Sequence, residues 1–257
     1  MSLDFWRAES LVLLPWLTHG VTHRTGGVSG GGYRSLNVGL HVGDSYSDVM
    51  ENRQRVANAL GFEVTNMICA EQIHRGEAAV VSYAEAGRGI ADIADAIPGV
   101  DALITKTPGV LLALYFADCV PVLFADPMQQ VIAVAHAGWR GIVAEVIENT
   151  VQKMNEQFDC QPETLLAAIG PCIGPESFEV GAEVASHFVD DCLTDYPKPH
   201  VDLPSAAKRR LTALGILPKN IQCSRECTVS NSDRYFSHRR DYGQTGRMAA
   251  VIGIRTQ

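Results

Sequence analysis

The densest chemistry in this sequence lies between Leu111 and Gly141, in the run LLALYFADCVPVLFADPMQQVIAVAHAGWRG. Asp126-Pro127-Met128-Gln129 reads as a turn between two apolar strands. If these four residues are the hairpin loop, Ala125 pairs with Gln130, and the same register carried back sets Cys119 opposite His136. Directly opposed side chains have Cβ atoms about 4.5–5.5 Å apart. That separation suits two ligands of one ion, or a thiol and its base. Pro121 removes one ladder hydrogen bond and opens the way to a bulge. Zinc takes Cys sulfur and His nitrogen, and a catalytic site keeps a fourth position open. The third ligand is best sought at a strand end. His74, in Glu71-Gln72-Ile73-His74, leads on local grounds, and His19, His23 and His41 compete with it. Two other readings stand beside the metal. One is a Cys119–His136 nucleophile pair. The other is plain structure, since a cysteine ending an apolar strand usually packs.

Other segments carry weaker signals. His136 is followed by Ala137-Gly138-Trp139-Arg140-Gly141 and then a helix, whose free N–H groups together with Arg140 could take an anion. A glycine-rich strand-to-helix turn is the competing reading. The loop from Gly26 to Gly32 fits neither the phosphate-loop pattern nor a clean dinucleotide fingerprint. It reads equally as a substrate-facing loop and as a surface turn. Cys172, in Gly170-Pro171-Cys172-Ile173-Gly174-Pro175, reads as structural before reactive. Phe236 to Asp241 could form a site wall or a charge-paired surface turn.

The bulk properties bound what such a site could serve. At 257 residues, 46% of them hydrophobic, the chain can bury a sizeable core. A formal net charge of −8 opposes a broad nucleic-acid footprint, which needs clustered Lys and Arg. It equally disfavours anionic membranes. No apolar run approaches a spanning helix, and the N-terminus does not read as a secretory signal. Seven scattered cysteines are not a disulfide framework. Reduced thiols and a cytoplasmic location follow as expectations.

The elements that must position these residues are legible from periodicity. Helices are expected over 47–60, with Ser47 as cap and Gly61 as stop, over 141–158, over 204–214 and, briefly, over 181–188. Strands are expected over 66–70, 78–82, 102–105, 110–117, 122–125, 131–135, 165–169 and 249–254. Many are apolar on both faces, so the sheet should be covered on both sides. Numerous strands with few, unevenly placed helices favour an α+β class over βαβ alternation. Segments 24–33 and 190–204 read as irregular. No boundary splits the chain, so one domain over 1–257 is expected.

Taken in order, several of these segments resemble the YfiH family, also called the laccase-domain or polyphenol-oxidase family. The matching pieces include Thr22-His23-Arg24-Thr25-Gly26-Gly27-Val28-Ser29, Ser35-Leu36-Asn37-Val38-Gly39, Asn52-Arg53, Gln72-Ile73-His74, Asp101-Ala102-Leu103-Ile104-Thr105, Ala117-Asp118-Cys119-Val120-Pro121, Ala135 to Gly141, Ile173-Gly174-Pro175, Phe236 to Arg240 and Thr245-Gly246-Arg247. They span nearly the whole chain. The resemblance implies a single layered α+β domain, a mixed sheet covered by helices, similar in fold to a bacterial toxin deamidase with a Cys–His pair. It implies a zinc ion held by His74, Cys119 and His136, which would also be the catalytic centre. It further implies purine nucleoside phosphorolysis with adenosine deamination. The family's older name implies copper-dependent phenol oxidation, and the toxin likeness implies amide hydrolysis by Cys119 and His136 on a cell-wall precursor. For the nucleoside reading the partners are a small-molecule nucleoside and phosphate, with Asn37, Arg53 and Arg140 as expected substrate contacts. Arg75 and Cys172 depart from the family pattern without touching the three ligands.

Overall fold

In chain order the elements are β1 (Phe5–Trp6), α1 (Glu9–Val12), β2 (Leu17–Thr22), α2 (Tyr46–Leu60), β3 (Met67–Cys69), β4 (Ala78–Val80), β5 (Ala102–Thr105), β6 (Leu111–Phe116), β7 (Val120–Asp126), β8 (Val131–Ala137), α3 (Trp139–Val143), α4 (Val146–Phe158), β9 (Leu166–Ile169), α5 (Ala182–Ala185), β10 (Cys192–Leu193), β11 (His200–Val201), α6 (Leu203–Ala213), β12 (Ile221–Cys223) and β13 (Met248–Ile254). They are those of a computed structural model that describes residues 3–193 and 195–256.

The fold is a layered α+β architecture, as expected, but it is built on two large sheets rather than one. One sheet has strand order β1-β2-β13-β6-β3 and the other β12-β9-β7-β8-β5-β4. Alternation along each strand decides which layer a side chain enters. Leu103, Leu123, Ile132 and Val134 of the six-stranded sheet meet Leu112, Leu114, Ala250 and Ile252 of the five-stranded sheet in a central apolar layer. The opposite face of the six-stranded sheet, with Ile104, Val122, Phe124 and Ala133, packs on Ile147, Val151 and Met154 of α4 and on Ala207 and Leu211 of α6. The outer face of the five-stranded sheet packs on Val56, Ala57 and Leu60 of α2. Both sheets are therefore covered on both sides, which is why their strands read as continuous apolar runs. No helix among the described residues is long and apolar enough to cross a membrane.

The hairpin carrying Cys119 and His136 forms with a corrected register. Asp126 belongs to β7 and pairs with Val131, so the loop is 127–130, one residue later than expected. The Asp126 carboxylate causes the shift, accepting the backbone N–H groups of Met128 and Gln129 at 2.8 and 3.0 Å. His136 consequently lies opposite Pro121, not Cys119. Because both sides of the pair move by one, the slip is two positions and preserves the face. Cys119, just ahead of β7, remains a diagonal same-face neighbour of His136.

The single helix expected over 141–158 is two helices. The first starts two residues earlier, and the chain breaks at Ala144-Glu145, with Glu145 left-handed at φ 63°. Gly76 explains the break. A Cβ there would overlap the Ala144 carbonyl, while the Gly76 carbonyl accepts from Asn149 Nδ2 at 2.9 Å. The loop that bears His74 is thus pressed against the helix junction. We expect Gly76→Ala to destabilise the fold by about 1–3 kcal/mol. Urea unfolding checks this, and an unchanged midpoint would contradict it.

Candidate metal centre

His136 stands near the end of β8 on the face that looks into the layer between the sheets, where that layer opens to solvent. Its ring packs edge-on against Phe116 of β6, with centroids 5.1 Å apart. Cys119 approaches from the start of β7. Opposite the thiol sits Gly138, where a Cβ would come within 2.7 Å of the Cys119 sulfur. Glycine at 138 is therefore the residue that leaves room for Sγ.

His74 arrives from the five-stranded sheet. After β3 the chain is pinned to β6 by one side chain. Gln72 Oε1 accepts from Tyr115 N at 2.8 Å, and Gln72 Nε2 donates to Tyr115 O at 2.9 Å. That amide extends the β3–β6 ladder past the end of β3. Gln72 and His74 both hold positive φ, at 54° and 60°, as does Asp118 at 85°. Three non-glycine residues in this region within one site are the kind of local strain that surrounding contacts must hold in place.

These segments bring His74, Cys119 and His136 together, and His19 and His23 are elsewhere. One ligand atom from each of the three lies within 4.8 Å of the others. The two imidazoles meet edge to face at 4.8 Å between centroids. His136 is buried, Cys119 half-buried and His74 exposed, so the cluster opens on the His74 side. Two imidazoles and one thiol are the donor set of a three-ligand zinc site with one open position. The residues present fit such an ion.

The support behind the cluster is Asp101, which the sequence reading passed over. It is fully buried at the head of β5. One carboxylate oxygen pairs with His136 Nδ1 at 2.8 Å, and the other accepts the Arg75 backbone N–H at 2.8 Å. His136 N donates to the Asp101 carbonyl at 2.7 Å. An acceptor at Nδ1 fixes the tautomer that turns the Nε2 lone pair toward the cluster. A carboxylate immediately before the largely apolar run Ala102–Thr105 was the available signal. Burial tends to raise the Asp101 carboxyl, but hydrogen bonds from His136 and from backbone N–H groups outweigh it and hold it below its usual value. Burial likewise pushes the Cys119 thiol up, yet the His136 charge and hydrogen bonds to both histidines bring it down to about 6. Burial lowers His136, and the Cys119 thiolate and Asp101 reverse this, lifting it to about 9. Both shifts favour the thiolate–imidazolium form of the pair.

The cluster forms part of the wall of a cleft of about 570 Å³. His41, Arg53, Tyr115, Trp139, Arg140, His238, Arg239 and Arg247 complete much of it. Arg140 is exposed and stacks over Trp139 at 4.2 Å, at the start of a helix of five residues. Arg53 is almost wholly buried. Asn37 lies one layer back. Its amide bonds to Gly39 O, Asp44 Oδ2, Gly39 N and Arg247 N, so it supports Arg247 instead of lining the cleft. The glycine loop is knit to α2 through Val28 N and Asn52 Oδ1 at 2.9 Å and is not part of the lining. His238 and Arg239 do form a wall, while Arg240 and Asp241 pair with each other at 2.8 Å. Asp118 anchors this wall by accepting from Thr228, Ser237 and Arg239 N. Cys172 is buried with a free thiol, its backbone forms a parallel β-bridge with that of Cys227, and it does not line the cleft. His19 accepts from Ala8 N at Nε2, and His23 pairs with Asp4.

A two-sheet α+β fold with one His–Cys–His cluster in a cationic cleft matches a defined class of protein. Residues 18–255 fit the family model described as multi-copper polyphenol oxidoreductase laccase. The chain is 40% identical to the purine nucleoside phosphorylase YlmD of Geobacillus stearothermophilus over 93% of its own length and 90% of the relative's. It is 38% identical to the purine nucleoside phosphorylase YfiH of Escherichia coli, covering 90% and 91% of the two chains. The crystal structure of the Geobacillus YlmD superposes with a TM-score of 0.92 over 97% of this chain and 94% of that one, at 38% identity. The chain belongs to this YfiH/YlmD laccase-domain family.

Proposed function

We propose that residues 1–257 act as one enzyme domain, a zinc-dependent purine nucleoside phosphorylase that cleaves adenosine- or inosine-type nucleosides. The observation that carries this reading is the His74–Cys119–His136 cluster set in a cleft large enough for a nucleoside and lined by arginines. The names of the relatives supply the substrate class. In phosphorolysis a phosphate oxygen bonds to ribose C1′, the C1′–N9 bond breaks, and the purine leaves with the bonding pair and takes up a proton. When bound, the ion supplies positive charge and Lewis acidity beside the reacting groups. His74, Cys119 and His136 would hold it, and Asp101 would keep His136 in the ligating tautomer. Arg53 and Arg140 both line the cleft and can contact the substrates, while Asn37 acts through Arg247. Addition of water to C6 of adenine with release of ammonia is proposed as a second reaction of the same centre.

The direct test is incubation of zinc-loaded protein with inosine and phosphate. Hypoxanthine and ribose 1-phosphate are expected in equal amounts, and no hypoxanthine from fully metallated protein would refute the reading.

A second reading has one observation in its favour. Cys119, His136 and Asp101 stand in series, and the shifts favouring a thiolate beside an imidazolium suit nucleophilic attack on an amide. A stoichiometric ion bonded to the Cys119 sulfur would exclude it. Copper in place of zinc remains compatible with the donor set. Multi-copper oxidation requires several ligand clusters, and one such group of three is present among the described residues.

A further inference from the structure

The cleft carries more positive charge than its carboxylates can answer. Arg53, Arg140, Arg239 and Arg247 line it, and none forms an ion pair among the described residues. This occurs in a chain whose formal net charge is −8. The two lining acids are occupied. Glu71 accepts from Gly99 N, and Asp118 accepts from Thr228, Ser237 and Arg239 N.

Arg53 and Arg247 differ from the rim arginines in being built into one scaffold. Arg53, 1% exposed, donates through Nε to Val38 O and through Nη1 to Gly89 O and Ile90 O, at 2.9, 2.8 and 2.6 Å. Its guanidinium lies 4.5 Å from the centre of the Tyr115 ring. Val38, whose carbonyl receives Arg53, donates its own N–H to Arg247 O at 3.2 Å. Arg247 Nη1 donates to Thr245 O and Gly246 O. Its stem presses on Gly39, where a Cβ would come within 2.7 Å of Arg247 Cγ. Every one of these acceptors is a neutral carbonyl. Among the described residues Arg53 Nη2 and the Arg247 Nε and Nη2 groups have no acceptor, and none is sealed from solvent. His41 follows on the same segment, close enough to feel the charges of both arginines. The adjacent Asp44 is consumed by Asn37 and Ser45 N.

Arg53 is buried and Arg247 half-buried with no carboxylate paired to either, and a bound anion relieves the cost of such cations. Guanidinium forks match the paired oxygens of phosphate. Of the two reactants in phosphorolysis, only phosphate is charged. We propose that Arg53, Arg247 and His41 form the subsite for inorganic phosphate, and that Arg140 does not belong to it. This rests on the phosphorylase reading and deepens it.

The test is calorimetric titration of zinc-loaded protein with inorganic phosphate, alongside steady-state KM values for phosphate and for inosine. Arg53 is too deeply tied to carbonyls to be the first residue changed. Arg247→Met should weaken phosphate binding roughly 10- to 100-fold and raise the phosphate KM to match, with the inosine KM little changed and zinc content intact. Arg247→Lys should recover part of the loss, and His41→Gln should weaken phosphate several-fold. Arg140→Met should leave phosphate affinity within two-fold, whatever it does to inosine. Unchanged phosphate binding in Arg247→Met and His41→Gln, or its loss in Arg140→Met, would overturn the subsite. Tight phosphate binding with no turnover of any nucleoside would instead overturn the phosphorylase reading and leave the subsite standing.

Discussion

Cys119→Ser is expected to give a folded protein that holds little zinc and has lost roughly three orders of magnitude in turnover, about 4 kcal/mol of transition-state stabilisation. The hydroxyl is near in size to the thiol, and Cys119 is only half-buried, so the packing change is small. The chemical change is large. The Cys119 thiol ionises at about 6 because His136 and His74 stabilise its anion against the cost of burial. A serine hydroxyl in the same place stays neutral and is a poor ligand. Only the two imidazoles, edge to face at 4.8 Å between centroids, would remain to hold the ion. Zinc content after dialysis and the rate of hypoxanthine release check this together. Full zinc occupancy in the variant would show that the sulfur is not a ligand. Full activity without zinc would remove the metal from the account.

Asp101→Asn carries the second large effect. The carboxylate accepts from both sides, from His136 Nδ1 and from the Arg75 N–H. An amide cannot do both. If its oxygen serves His136, its NH2 faces the Arg75 donor. If its NH2 faces His136, Nδ1 must give up its proton, and Nε2 then carries a proton where it should present a lone pair. Either arrangement weakens the centre, and losses of this kind are typically about 10- to 100-fold in metal affinity. Titration against a competing chelator measures it, with circular dichroism to show that the fold persists. Wild-type zinc affinity in Asp101→Asn would mean that the hydrogen bond does not set the tautomer.

The layered class and most strands were readable because both faces of each sheet are buried, and continuous apolar runs such as 131–137 have few other uses. β2 was missed because its Thr18, His19 and Gly20 look like loop residues. They are a strand because Gly20 gives way to Phe5, whose Cβ would lie 2.9 Å from a Cβ at 20, and because His19 accepts the Ala8 N–H. The hairpin register was misread by one residue on each strand, since nothing local shows that Asp126 caps the turn while remaining in the ladder. The error left the site intact because a two-position slip preserves the face. The break between α3 and α4 depends on Gly76, some seventy positions away in sequence, and no periodicity reports it. Among candidate site residues, Cys119 and His136 stood out by type and spacing, and the family resemblance chose His74 over His19, His23 and His41. Asp101, Gly138 and Arg247 did not stand out, because their roles come from what they stand beside.

The most direct test of the metal centre is zinc-edge X-ray absorption on purified protein reconstituted with one equivalent of zinc. The account predicts one sulfur at about 2.3 Å and two imidazole nitrogens at about 2.0 Å, with one further light ligand at the open position. Replacement of Cys119 by serine should lower the zinc content and remove the sulfur shell from whatever zinc stays bound. A shell of nitrogen and oxygen only in the wild-type protein, with the Cys119 thiol free to react with an alkylating agent, would contradict it.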